Sequence, residues 1–383
     1  MNPYPPAHTR AEDLPEQLRP VIEKYRDEAD AARRLPPPLL TGLRTAGAFR
    51  LSTPRELGGF ELPLASTLDV LERLGRIDGP TAWVVWNLNF GFSAAFLDDE
   101  AVQRIWSQNP DPLIANSGQP GRLAKTADGY RLSGQWKIVS GVEAAEWIAL
   151  VGLVDSGAPA GEAPEVRVCW VPRAEVTVED TWQVTGMRGT NSNKVTADGV
   201  LVPREMTVDL AATPRIDRPA YRVPMVHLVY SGCAAPALGM AQAMVDEVAD
   251  LAQTKKSPDG TPLAHQPRMQ AVLGRAAAQL GAARGHLFAM AGTLDDAATA
   301  GRAASNAERG ALRGAISHAG ETARAVTTAM YEAASSSALY EPSRIGRLFR
   351  DGHAAAQHGN LSAAHYELAG RTLLGLPPAA LFV

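Results

Sequence analysis

The spacing of apolar positions changes twice along the chain, from helical to alternating and back to helical. From about Pro15 to Asn109 the pattern is helical. Glu16–Ala32 carries a mixed-charge amphipathic repeat. Pro36-Pro37-Pro38 then opens a helix over Leu39–Ala46, because proline's fixed φ suits a first helical turn. Leu64–Ile77 places Leu68, Leu71 and Leu74 at helical spacing, and Gly79-Pro80 ends it. Thr81–Phe96 is apolar nearly all round, which predicts one buried helix. Asp98–Ser107 reads as a short amphipathic helix.

From about Leu113 to Leu210 the period becomes two. Tyr130–Trp136 alternates, and Trp147–Val154, Val166–Val171, Val176–Val184 and Lys194–Val202 are rich in strand formers. Asp128-Gly129 and Gly189-Thr190-Asn191 supply turn signals. Together these predict a small antiparallel β unit. From Val226 the helical period returns over Val226–Thr254, Pro267–Thr299, Ser305–Ser336, Ser343–Ala356 and Ala363–Leu374, interrupted by the polar loop Lys256–Gln266. These alanine-rich segments suit a four-helix bundle. The expected fold class is α+β, mostly α. Residues 1–112 form an N-terminal helical domain, 113–215 a middle β domain, and 216–383 a C-terminal helical bundle.

Composition narrows the function. The chain of 383 residues has a formal net charge of −4, with 45% hydrophobic and 20% charged residues. This is ordinary for a globular protein. Mild acidity, with no basic run longer than Lys255-Lys256, argues against nucleic acid as a partner. No apolar run reaches the roughly 18 residues of a membrane span, so no membrane partner is expected. The N-terminal stretch MNPYPPAHTRAEDLPEQ lacks the apolar core of a signal peptide. Cys169 and Cys233 sit in no metal or redox motif and read as buried thiols, which points to a cytoplasmic protein. No cluster of metal-ligating residues suggests a metal, and no Gly-x-Gly-x-x-Gly segment suggests a nicotinamide site.

The densest candidate chemistry is Arg350-Asp351-Gly352-His353-Ala354-Ala355-Ala356-Gln357-His358. If the segment is one helix, its two histidines point about 140° apart and cannot share a metal. One imidazole is then offered to a pocket. Arg350-Asp351 reads as an ion pair that locks this helix in place.

Helices, strands and a long helical bundle, in that order, resemble the acyl-CoA dehydrogenase fold. Four motifs carry the resemblance: Asp128–Gly141, with Trp136-Lys137-Ile138-Val139-Ser140-Gly141 at its end; Trp182–Ser192 followed by Asp198–Pro203; Gly79–Val85; and Arg347–His358. The Trp-x-x-x-Ser-Gly and Arg-Asp…His forms are more similar to the group D flavin-dependent monooxygenases, with actinorhodin-type polyketide hydroxylases the nearest pattern. That resemblance implies the oxygenase component of a two-component system. It would use O2 and a reduced flavin, FADH2 or FMNH2, delivered by a separate NAD(P)H:flavin reductase. It would form a C4a-hydroperoxyflavin and hydroxylate a small aromatic substrate of polycyclic type. N-oxygenation of an amine and an acyl-CoA dehydrogenase or oxidase activity are the alternatives. A homo-oligomer, a tetramer built through the bundle, is also implied.

The residues bear on that choice. A dehydrogenase removes a proton next to a thioester with a glutamate. The resemblance places that glutamate at Gly359, and no carboxylate stands there. A second family position for the base, near Val229–Ser231, has none either. The resemblance puts Ser140 at flavin N5, where a neutral hydroxyl can accept from N5–H. His358, beside the vacated position, could polarise a phenol or indole, or hold the peroxide terminus. Asn116, Ser117, Trp136, Ile138, Val139, Arg188, Thr190, Ser192, Lys256 and His353 are the other candidate flavin contacts, with Asn116 and Ser117 expected in a strand-end loop. Trp86, Asn87, Asn89, Phe90, His227 and Tyr230 are the candidate substrate contacts. Trp86, Phe90 and Phe92 could form a flat aromatic wall.

Overall fold

The computed structural model describes residues 10–155, 165–341 and 343–376; the first nine residues of the N-terminal stretch lie outside it. The helices before the sheet are α1 (Leu14–Ala32), α2 (Pro37–Ala46), α3 (Leu64–Ile77), α4 (Gly79–Leu88) and α5 (Asp99–Trp106). The strands are β1 (Ile114–Lys125), β2 (Gly129–Val139), β3 (Trp147–Val154), β4 (Val166–Pro172), β5 (Thr177–Glu179), β6 (Asn193–Pro203) and β7 (Thr207–Asp209). Helices resume with α6 (Pro219–Arg222), α7 (Met225–Tyr230), α8 (Ala234–Thr254), α9 (Pro267–Thr299), α10 (Asn306–Ala334), α11 (Arg344–Ala355) and α12 (Tyr366–Leu373).

The chain divides into two compact units. The first comprises the described residues up to Pro63 together with Val84–Gln183 and Arg188–Val229. The second comprises Leu64–Trp83, Val184–Met187 and the described residues from Tyr230 onward.

The first unit holds one seven-stranded sheet, ordered β5-β6-β2-β1-β3-β4-β7. The tight turn after Lys125 folds β2 back on β1, pairing Lys125 with Tyr130 and Arg122 with Ser133. The link 140–146 then carries the chain past the end of β1, so β3 runs parallel to β1, pairing Ile114 with Trp147. The sheet is therefore mixed, where alternation alone implied an antiparallel one. A strand that skips over its neighbour reverses the expected sense, and a period of two carries no direction. Register breaks lie between Ser117 and Gly121 on β1 and between Trp136 and Val139 on β2. Such bulges re-aim side chains next to functional sites. Val176–Val184 supplies only the short β5.

The apolar stretch Thr81–Phe96 is not one helix. Helix α4 ends at Leu88 and a 3-10 turn follows over Gly91–Ala95. Asn89 makes the break, donating from Nδ2 to Ala48 O at 2.6 Å and accepting from Ser52 N at 3.4 Å.

In the second unit α3 and α8 pack with almost no side chain between them: a Cβ on Gly239 would lie 2.1 Å from Glu72 O. Helix α10 starts at a capping box in which Ser305 and Glu308 satisfy each other's backbone N–H groups. One stretch, Met225–Thr254, does have the length and a mean hydropathy of 1.3 suited to a membrane, contrary to expectation. Core packing accounts for it, since 83% of its most apolar window is buried within the protein. Both cysteines are free and buried, and burial pushes each thiol up to about 12.

Candidate active site

In the first unit the candidates gather where β2 ends. Ser140, the residue after β2, is 3% exposed. Its Oγ lies 2.8 Å from Ser192 Oγ, and Ser192 Oγ lies 2.7 Å from Thr190 Oγ1. Three hydroxyls therefore form one chain. Gly141 N donates to Thr190 O at 2.8 Å, which holds the two loops in register. Between Thr190 and Ser192, Asn191 takes a left-handed conformation at φ 48°, so the hydroxyls before and after it come together. Asn191 Oδ1 is buried without a hydrogen-bond partner among the described residues. Two residues before Ser140, Ile138 lies in the bulge and exposes 53% of its surface.

These features fit a flavin. The ring system needs neutral hydroxyl partners and an apolar surface to cover, and an unsatisfied acceptor is a place for one of its donors.

Other candidates in this unit are held by the protein itself. Trp136 is fully buried and donates from Nε1 to Gln119 O at 2.7 Å. Its ring packs on Gly121 and Gly134. Val139 is fully buried and pairs with Asn193. Arg188 donates to Asp30 O of α1 at 3.0 Å. Asn116 and Ser117 lie within β1, not in a loop at its end, because the strand continues through its bulge. Asn116 Nδ2 donates to Asn87 O at 2.8 Å, fixing the end of α4 to the sheet. Trp86 Nε1 donates to Val229 O at 2.9 Å. Phe90 is 5% exposed and packs on Phe92 and Trp170 at 4.8 and 6.2 Å, so these rings build core. His227 is fully buried.

In the second unit the central residue is His358. Helix α11 stops at Ala355, so the helical angle between the two histidines does not apply. His358 instead caps the 3-10 turn Gly359–Leu361, its Nδ1 accepting from Asn360 N at 3.2 Å. That bond leaves the ring proton on Nε2. The ring stands edge-on to Trp83, with centroids 5.4 Å apart. Burial, and then the positive Arg313, push its pKa down to about 4, so the imidazole is neutral near pH 7. Next to it Gly359 is exposed, and a Cβ there would meet nothing within 4 Å.

His353 goes elsewhere. Its Nε2 lies 3.2 Å from Thr328 Oγ1, and its ring meets Phe349 edge-on at 4.3 Å. Asp351 does not pair with Arg350 among the described residues. Its Oδ1 accepts from Met187 N at 2.5 Å. The backbone at Gly186 lies close enough on α11 that a Cβ would fall 2.2 Å from Arg350 O, and a carboxylate aimed at a backbone N–H suits that contact better than an ion pair. Lys256 sits exposed in the loop after α8, bridged to Pro262. Tyr230 is 5% exposed, with the Arg313 guanidinium 4.7 Å from its ring centre.

Arg313 was not among the candidates from sequence. It is 2% exposed, forms no ion pair among the described residues, and its charge is disfavoured by burial. Its signal was an arginine placed on the buried face of α10.

Comparison with known proteins agrees with this architecture. Family models for the acyl-CoA dehydrogenase N-terminal and C-terminal domains match residues 12–99 and 231–363. The chain is 26% identical over 368 residues to an indole-3-acetate monooxygenase of Pseudomonas putida, covering 94% of this chain and 93% of that one. It is 28% identical over 383 residues to the oxygenase component of an FADH2-dependent resorcinol hydroxylase from Rhizobium sp. strain MTP-10005, with 94% and 93% covered. The structure superposes on XiaF from Streptomyces sp., solved with FADH2 and glycerol, with a TM-score of 0.86 at 26% identity over 97% of this chain and 98% of that one.

Proposed function

This chain belongs to the acyl-CoA dehydrogenase family, in its branch of flavin-dependent monooxygenases, and on that premise we propose how its own residues serve aromatic hydroxylation. The enzyme is the oxygenase component of a flavin-dependent system. Reduced flavin, when bound, reacts with O2 and supplies the oxygen atom. The substrate is a small aromatic molecule, and the electrons come from a separate flavin reductase. The assembly is a homotetramer.

The observation that carries this reading is Gly359. The surroundings of that position would admit a side chain, yet no carboxylate is present, and the adjacent imidazole is neutral with its proton on Nε2. Such a group donates a hydrogen bond at neutral pH. It is a poor base for a carbon acid, whose proton needs a group of higher pKa. Removal of a proton next to a thioester is therefore unsupported, and oxygenation is favoured.

Ser140 accepts from flavin N5–H in this reading. Ser140 can donate inward to Ser192, and Ser192 to Thr190, and in that arrangement the Ser140 lone pairs point outward. Ile138 supplies apolar cover for the ring. His358 donates from Nε2 to a substrate oxygen. Incubation of the flavin-loaded protein with acyl-CoAs in the absence of oxygen tests the reading. The flavin should stay oxidised, and its bleaching by an acyl-CoA would restore the dehydrogenase assignment.

A further inference from the structure

After burial itself, the charge of Arg313 helps to keep His358 neutral, but that effect uses none of its N–H donors, and Arg313 is a costly residue to keep. It lies on α10 in a stripe whose other members, Gly310, Ser317 and Gly320, are small. The small residues let the segment 359–372 lie close. Ser317 Oγ donates to Ser362 O at 2.8 Å, and a Cβ on Gly320 would fall 2.7 Å from Leu361 Cβ. Arg313 is the one long side chain of the stripe. It is 2% exposed, and its Nη1 is buried with no hydrogen-bond partner among the described residues.

Its neighbours do not neutralise it. The guanidinium faces the Tyr230 ring at 4.7 Å. It lies close enough to His358 and His365 to oppose their protonation, and Cys233 beside it is kept a thiol by burial. Burial disfavours a cation that has no counter-charge. A guanidinium also presents a planar fork of N–H donors that matches a carboxylate. One ring face, one imidazole and one uncompensated fork thus occur together within one unit.

We propose that Arg313 binds a carboxylate carried by the aromatic substrate, with Tyr230 and His358 beside it. This rests on the oxygenase reading and narrows its substrate class to aromatic acids. A carboxylate from a second copy of the chain could meet the same fork, and the experiment separates the two.

The test is calorimetric binding of paired probes to the full-length protein: phenylacetate, 4-hydroxyphenylacetate, indole-3-acetate and 1-naphthylacetate, each against its primary amide. At least one acid should bind the unaltered protein about tenfold or more tighter than its amide. Arg313→Gln should bring that ratio within about twofold, and Arg313→Lys should retain part of it. Circular dichroism checks that the variants fold. If Arg313→Gln does not fold, the unaltered protein and Arg313→Lys still decide the matter. No acid preference in the unaltered protein, the outcome expected if a second copy fills the fork, overturns the proposal. So does a preference that survives Arg313→Gln, or, where that variant does not fold, one that is undiminished in Arg313→Lys. Delayed oxidation of reduced flavin does not require Arg313. If that delay is absent the oxygenase reading fails; if it is present without acid preference, only this inference fails.

Discussion

Ser140 and Ser192 hold their hydroxyls 2.8 Å apart, and Ser192 extends the line to Thr190 at 2.7 Å. Each hydroxyl can serve as both donor and acceptor, so the line can direct either a proton or a lone pair outward at Ser140. Loss of the first member removes that control. Ser140→Ala should therefore shorten the delay before oxidised flavin appears by about 2- to 10-fold, the worth of one ordinary hydrogen bond. Stopped-flow absorbance reads it, with peroxide released in place of product. Ser192→Ala should have a smaller effect of the same sign.

His358 should make stability depend on pH in acid. Its folded pKa of about 4 lies below the ordinary value of about 6.5, so the unfolded chain takes up the proton first as pH falls. The stabilisation is fully present above about pH 6.5 and is lost as pH falls through the folded value of about 4. His358→Gln should lose less Tm between pH 7 and pH 4.5 than the unaltered protein does. Calorimetry at several pH values checks this. Product yield should show no titration near pH 6.5, since a neutral donor does not change charge there.

The carboxylate of Asp351, 2% exposed, accepts from Met187 N. Asp351→Ala should cost about 1.5–3 kcal/mol, the range for a hydrogen bond to a charged group. Asp351→Asn keeps an acceptor oxygen in place and should cost less than Asp351→Ala. Urea denaturation measures both.

Gly359 lies in open space, so a larger residue needs no rearrangement. Gly359→Glu should change stability by no more than about 0.5 kcal/mol. A large loss of Tm would show that the position is closed in the working protein.

The helices of this protein were largely legible in its sequence, since periods of apolar residues are written locally. Leu64–Ile77 was bounded by pattern alone. Strand β1 was obscured, because Gly118-Gln119-Pro120-Gly121 reads as a turn but falls in the bulge of a continuous strand. The break after Leu88 was equally hidden: an all-apolar stretch has no period to lose, and Asn89 is held by the distant Ala48. The same limit applied to chemistry. Ser140, Thr190 and Ser192 could be named from their motifs, but the chain they form depends on two loops meeting. His358 could be named, while the Nε2 tautomer needed Asn360 to follow a helix end. The parallel pairing of β1 with β3 was out of reach, because strand alternation does not record direction. Arg313 was the avoidable omission, since the spacing of Gly310, Ser317 and Gly320 already placed it on a buried face.

The most direct measurement of the central claim is rapid mixing. Protein loaded with FADH2, and separately with FMNH2, is mixed anaerobically prepared into oxygenated buffer, and oxidised flavin is followed by absorbance. The account predicts a clear delay before oxidised flavin appears with at least one flavin, longer than for free reduced flavin, and hydroxylated product when an aromatic substrate is present. Oxidation as fast as that of free flavin, with stoichiometric peroxide and no delay for either flavin, would contradict it.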